Sequence, residues 1–190
     1  MTTIVRQGNM VYSDSCYGAP VGTERSRVFG EPKFFINRNK TILAAICGNI
    51  PGTETADFIT TQFIDAVERY LSNWKTHSTH QLSAMLENYY TQVLELRPKL
   101  DEFYSFAFFI KDFTLQIAVK INKHVNRIRC ITYGTETDLT FGSGAAWWIA
   151  QKGNPDLSLE DRFKYIYRLD PNSGGTVNIF DLNNLKEITV

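Results

Sequence analysis

The sequence is sparing with cysteine and histidine, has no excess of charge of either sign, and lacks a long apolar run. Its three cysteines, Cys16, Cys47 and Cys130, show neither metal-ligand nor redox spacing. That excludes a thiolate metal cluster or a disulfide framework, and it fits a reducing compartment. Twenty basic residues balance twenty acidic ones, for a formal net charge of zero. No electrostatic grip on nucleic acid or an anionic membrane follows from such a balance. Of the three histidines, His77 and His80 are spaced for one helix face but lie in a polar linker without a third ligand. His124 sits by a turn, so no zinc set is formed and no metal or other cofactor is expected. No apolar run approaches the roughly 20 residues that cross a bilayer, and the N-terminus has no apolar signal segment. A cytoplasmic protein is expected, neither secreted nor membrane-spanning.

What the chain does have is an ordinary globular composition, 43% hydrophobic and 21% charged over 190 residues. That length supports one domain, residues 1–190, with a substantial core. No repeat, low-complexity segment or interdomain linker interrupts it. The first stretch reads as β. Thr3-Ile4-Val5 and Met10 to Asp14 flank a Gly8-Asn9 turn and form a hairpin. Lys33 to Ile36 and Thr41 to Ile46 flank the turn Asn37 to Lys40, and the second run is apolar enough to be buried on both faces.

The middle stretch reads as helical. From Thr53 to Trp74 the apolar residues fall at helical spacing, after the Pro51-Gly52 punctuation. A second amphipathic helix carries Leu82, Met85, Leu86, Tyr89, Tyr90, Val93 and Leu94, and Pro98 stops it. The last stretch returns to strands over Tyr104 to Ile110, Thr114 to Ile121 and Arg127 to Tyr133, with a turn at Lys111-Asp112. Gly142-Ser143-Gly144 opens a short helix through Trp148 and Ala150. A further helix spans Leu159 to Leu169, with Leu159, Phe163, Ile166 and Tyr167 on one side. Strands over Thr176 to Phe180 and Lys186 to Val190 close the chain. Strands, two helices, strands, two helices, strands make an α+β protein, with helices on both faces of two packed antiparallel sheets.

The chemistry is concentrated in Met1-Thr2-Thr3. Removal of Met1 leaves Thr2 with a hydroxyl and a free α-amine on one Cα. A hydroxyl needs a base beside it to attack a carbonyl. An α-amine titrates near ~7.7–8.0, close to what a general base requires at neutral pH. Four further features follow in order: Asp14 after Tyr12-Ser13, Lys33 at the head of a strand whose partner ends in Ala44-Ala45-Ile46-Cys47-Gly48, Gly142-Ser143-Gly144, and Asp170-Pro171-Asn172-Ser173-Gly174. Each alone has an ordinary structural meaning. Asp14 reads as a turn residue and Lys33 as a solvated strand start. The Gly-Ser-Gly reads as a helix-opening loop, with no lysine at phosphate-loop spacing, and Asp170 to Gly175 as a helix-to-strand turn.

Taken together and in this order, these motifs resemble the proteasome-type β subunits of the N-terminal nucleophile hydrolases. The likeness in style is greatest to the short bacterial and phage proteasome-related peptidases, such as the heat-shock-locus V peptidase, and it covers nearly the whole chain. It implies a four-layer αββα sandwich of two antiparallel sheets. It implies a threonine peptidase in which Thr2 attacks the scissile bond and Lys33 assists, itself held by Asp14. Gly48 N–H would be the oxyanion donor, and Ser143, Asp170 and Ser173 a polar network around the Thr2 amine. The specificity pocket would draw on Tyr17, Glu31, Ala45 or Ile46, and Asn49 or Ile50. The resemblance also implies assembly into a homo-oligomeric ring or double ring, fed by an ATP-dependent unfoldase, with peptide or unfolded protein as substrate. With no propeptide ahead of it, Thr2 is expected to be exposed by methionine aminopeptidase. Two other classes stay open: a catalytically silent structural or assembly subunit that retains Met1, and an amidohydrolase of the same superfamily acting on a small amide. Cys47 is expected to pack in the core, and Trp147-Trp148 to serve either core or subunit interface.

Overall fold

The computed structural model describes residues 3–17, 28–29, 34–49, 64, 67–69, 81, 84, 88, 102–122, 125–135, 138–151, 154 and 156–188. Among the described residues twelve strands run in chain order: β1 (Thr3–Gln7), β2 (Met10–Asp14), β3 (Cys16–Tyr17), β4 (Val28–Phe29), β5 (Phe34–Ile36), β6 (Leu43–Asn49), β7 (Glu102–Ile110), β8 (Phe113–Asn122), β9 (Val125–Gly134), β10 (Leu139–Gly142), β11 (Val177–Asp181) and β12 (Lys186–Ile188). Two helices, α1 (Ala145–Ala150) and α2 (Leu159–Leu169), lie between β10 and β11. Two five-stranded antiparallel sheets result, ordered β10-β1-β2-β11-β12 and β5-β6-β7-β8-β9, with β3 and β4 paired separately.

The expected hairpins form where the turns predict them. Gln7 pairs Met10 across Gly8-Asn9, and Ile110 pairs Phe113 across Lys111-Asp112. Strand alternation then sends successive side chains to opposite faces. From the first sheet, Ile4, Val11, Leu139, Phe141 and Phe180 point inward, and from the second come Phe34, Leu43, Ala45, Cys47, Ala107 and Phe109. These residues form one core, so the two sheets pack face to face. Cys47 belongs to it, as expected. On the second sheet, Phe106 and Phe108 alternate with that set, and Leu115 and Ile117 are paired opposite them. All four are fully buried, so this sheet is covered on both faces.

The outer face of the first sheet carries α1 and α2. Val5 packs there with Trp148, Phe163 and Ile166, flanked by Leu159 and Tyr167. This is the apolar side of α2 that the spacing predicts. Ser158 starts that helix by accepting the Asp161 N–H at 3.1 Å, with Glu160 and Asp161 in its first turn and Arg168 in its last, all favourable to the helix dipole. Trp148 is fully buried, whereas Trp147 is 38% exposed, so the adjacent pair divides between core and surface. In the middle stretch, residues 64, 67–69, 81, 84 and 88 are helical. Val67 is fully buried, and Glu68 accepts a hydrogen bond from Asn37 beside the β5–β6 turn. Gln81, Ala84 and Asn88 are exposed, complementary to the apolar stripe read for that helix. The remainder of both expected middle helices lies outside the described residues. Among the described residues no helix is long and apolar enough to cross a membrane.

The sequence pattern does not predict strand β10, nor β3 and β4. Leu139-Thr140-Phe141 does alternate, but the run is too short to stand out from the surrounding loop. Its pairing with β1, from Thr3 opposite Gly142 to Arg6 opposite Leu139, is long-range and therefore invisible to local pattern.

One buried cation joins the sheets. Arg6 on β1 is fully buried. It donates from Nε to the Gly8 carbonyl at 2.9 Å, from Nη2 to the Lys111 carbonyl at 2.8 Å, and from Nη1 to the Phe113 carbonyl at 2.7 Å and Thr114 Oγ1 at 2.7 Å. Burial pulls its pKa down, and Asp112 opposes that pull. The fork geometry of guanidinium matches this set of converging oxygens.

Candidate active site

The N-terminal strand β1 lies between β10 and β2, so its first residue is enclosed from both sides. Thr3 is fully buried. Its backbone N–H donates to Asp14 Oδ1 at 2.8 Å. Its hydroxyl lies 2.6 Å from Ser173 Oγ. Asp14 closes β2 and is itself fully buried; its second oxygen accepts the Gly174 N–H at 3.1 Å. The loop after α2 is further tied to the end of β2 by Ser15, whose N–H donates to the Gly174 carbonyl at 3.2 Å.

Asp170 organises that loop. It caps α2 with an extended backbone, the conformation favoured in a residue that precedes proline, and Pro171 ends the helix there. Its Oδ1 accepts the Asn172 N–H at 3.0 Å and Asn172 Nδ2 at 3.2 Å, a local Asx turn. Its Oδ2 accepts Ser143 Oγ at 2.5 Å and Ser173 Oγ at 2.7 Å. Burial alone would raise its pKa, but these hydrogen bonds outweigh it and hold the carboxyl below its ordinary value. An ionised carboxylate has only acceptors to offer, about four lone-pair sites in all, and four donors converge on this one. Since the single Ser173 hydroxyl proton goes to Asp170, Thr3 must be the donor in the Thr3–Ser173 pair.

The Gly-Ser-Gly element supplies the third wall. Gly142 ends β10 with φ +89°, a backbone region that side chains disfavour, and the turn it makes presents Ser143 to Asp170. Gly144 sits against Thr3 so closely that a Cβ there would fall 1.9 Å from Thr3 Oγ1 and 2.9 Å from Ile166 Cγ2. Nearby, the Tyr167 hydroxyl is buried without a hydrogen-bond partner among the described residues. Burial pushes its pKa up strongly, and Asp14 and Cys16 add to the effect.

Of the residues singled out from sequence, Asp14, Ser143, Asp170 and Ser173 are thus brought together around Thr3. Ala45 is fully buried in the core between the sheets. Gly48 lies on β6 opposite Tyr104, Ile46 and Asn49 share that strand, and Tyr17 lies on β3. The side chains of Tyr17, Ile46 and Asn49, together with Thr2, Glu31, Lys33 and Ile50, lie outside the described residues, as do His77, His80 and His124. Sequence reasoning missed Thr3 and Asn172. The signal for Thr3 was its place in the alternation: it shares a strand face with Val5, so a polar group there needs a buried partner.

No protein-family profile matches the chain, and no curated protein matches it in sequence. Solved structures do match in shape. Eukaryotic HslV from Trypanosoma brucei aligns over 95% of this chain and 98% of its own, with a TM-score of 0.56 at 15% identity. The Anbu (Gly-1) mutant from Hyphomicrobium sp. strain MC1 aligns over 100% of this chain and 85% of its own, with a TM-score of 0.51 at 12% identity. The chain therefore has a proteasome β-subunit-like fold.

Proposed function

We propose that this chain is a threonine-type peptidase subunit of the N-terminal nucleophile class, with Thr2 as nucleophile once Met1 is removed. One observation carries the reading. Thr3 is held at its amide by Asp14 and at its hydroxyl by Ser173, two of the residues singled out by their resemblance to such enzymes. Consecutive Cα atoms are about 3.8 Å apart, so a Thr2 amine and hydroxyl are delivered to that same polar neighbourhood.

In the proposed reaction Thr2 Oγ attacks the scissile carbonyl carbon, and the hydroxyl proton passes to the α-amine. Lys33 lowers the hydroxyl's pKa, with Asp14 holding its ammonium in place. The Gly48 N–H stabilises the oxyanion. Collapse of the tetrahedral intermediate expels the amine half of the substrate, which takes the proton. An ester to Thr2 remains, and water attacks it to release the acid half and restore the hydroxyl. Ser143, Asp170 and Ser173 keep the amine oriented throughout. Because Ala45 is taken up by the core between the sheets, the specificity pocket is assigned to Tyr17, Glu31, Ile46 and Asn49. The middle helices complete a four-layer sandwich, and copies of the chain assemble into a cytoplasmic ring or double ring that an ATP-dependent unfoldase feeds.

The test is the intact mass of the purified protein, before and after an epoxyketone or β-lactone probe. Loss of the Met1 mass with one adduct mapped to Thr2 supports the reading. Retained Met1 with no adduct points instead to a structural subunit. Lys33→Ala is expected to abolish peptide cleavage, and unchanged cleavage in that variant removes Lys33 from the site. Turnover of small amides but not peptides by the same purified protein, before any probe is added, indicates an amidohydrolase.

A further inference from the structure

We propose that Thr3 is a positioning residue, locking the N-terminus by bridging the two carboxylates of the site. The bridge is a closed circuit. Asp14 Oδ1 accepts the Thr3 N–H, the Thr3 hydroxyl donates to Ser173, and the next amide, Gly174 N–H, returns to Asp14 Oδ2. Ser173 passes the connection on to Asp170, and Asp170 to Ser143. Thr3 is the member of the circuit covalently attached to Thr2. It is fully buried, and the missing side chain of Gly144 leaves the room its hydroxyl occupies.

Two consequences separate this role from simple packing. First, the hydroxyl matters and the methyl matters less, because the hydroxyl is the group that donates to Ser173. Second, the circuit is cooperative, since each hydrogen bond polarises the next. Without the Thr3 donor, Ser173 is a weaker donor to Asp170, and Asp170 is held less firmly in its ionised form. Thr3 is fully buried and so out of reach of a substrate, and its loss acts on the rate of chemistry and not on substrate binding.

The inference rests on the peptidase reading for its catalytic arm, and the experiment keeps the two apart. Thr3→Val and Thr3→Ser are prepared alongside wild type, each with the N-terminus checked by mass. If wild type labels at Thr2 and cleaves peptide, Thr3→Val is expected to lose about ten-fold or more in kcat at little-changed KM, the scale of one buried hydrogen bond. Thr3→Ser recovers most of the rate. A Thr3→Val protein with wild-type kcat overturns the positioning role and leaves the peptidase reading intact. Hydrogen exchange provides an arm independent of activity. The Gly174 amide is expected to exchange about ten-fold faster in Thr3→Val, with the Phe106 and Phe108 amides unchanged as a check on folding. If wild type proves inert, the peptidase reading falls and exchange still decides: wild-type protection of Gly174 in Thr3→Val overturns the bridge.

Discussion

Gly144 and Thr3 are so closely apposed that one added methyl on the glycine would overlap the threonine hydroxyl, at 1.9 Å. Thr3 opens β1, and Gly144 immediately precedes α1. The second motif therefore serves as much to make room for the N-terminal strand as to present Ser143.

Gly144→Ala is accordingly expected to displace Thr3 from Ser173. Overpacking a tight interior costs about 1–3 kcal/mol, and here the obstructing atoms are themselves hydrogen-bonded. Thermal denaturation should show a lowered Tm, and any peptide cleavage should be lost ahead of the fold. A variant with full activity and wild-type Tm would mean that β1 and α1 are not so closely joined.

Asp170 ties stability to pH. Its folded pKa lies below the ordinary carboxylate value of 3.8, so it contributes stability that is fully present above that value. The contribution is lost as pH falls through the lower folded value. Asp170→Asn is expected to unfold with a flatter pH dependence in this acid range. At neutral pH it should be less stable by about 1–3 kcal/mol, because an amide cannot accept all four donors. Urea midpoints measured from neutral to strongly acid pH check both statements.

Arg6 offers a test of the inter-sheet clamp. Arg6→Met leaves the Lys111 and Phe113 carbonyls and Thr114 Oγ1 without their donor. The expected loss is about 3 kcal/mol or more, read from urea denaturation. Arg6→Lys should recover only part of it, since an ammonium cannot reproduce the planar fork.

Tyr167 makes the opposite case. Its hydroxyl is buried and unsatisfied among the described residues, so Tyr167→Phe removes a desolvated polar group and keeps the ring packed against Phe163. Stability is expected to be unchanged or to rise by about 1 kcal/mol. A clear loss on denaturation would reveal a partner for the hydroxyl.

How far the molecule could be read from its residues depended on the range of the interactions. Helix α2 was legible because Leu159, Phe163, Ile166 and Tyr167 repeat at helical spacing. The β1–β2 and β7–β8 hairpins were legible because their turn residues are local. Asp14, Ser143, Asp170 and Ser173 could be singled out only through resemblance, since each sits in a turn or strand end of ordinary composition. Strand β10 and the role of Thr3 were hidden because both arise from pairing across the length of the chain: the Thr3–Ser173 contact spans 170 positions. A threonine in a strand looks the same whether it faces solvent or a buried serine.

The interior place of β1 bears on when the site can exist during synthesis. The first strand made is flanked by β2 and by β10, whose last residue is Gly142. The polar circuit is not closed until Ser173 and Gly174 have been added. Such long sequence separations slow folding, and a nascent chain that has not reached this loop has Asp14 for the Thr3 amide but lacks Ser173 for the Thr3 hydroxyl. The polar circuit around Thr3 is thus assembled only after translation has passed residues 173 and 174.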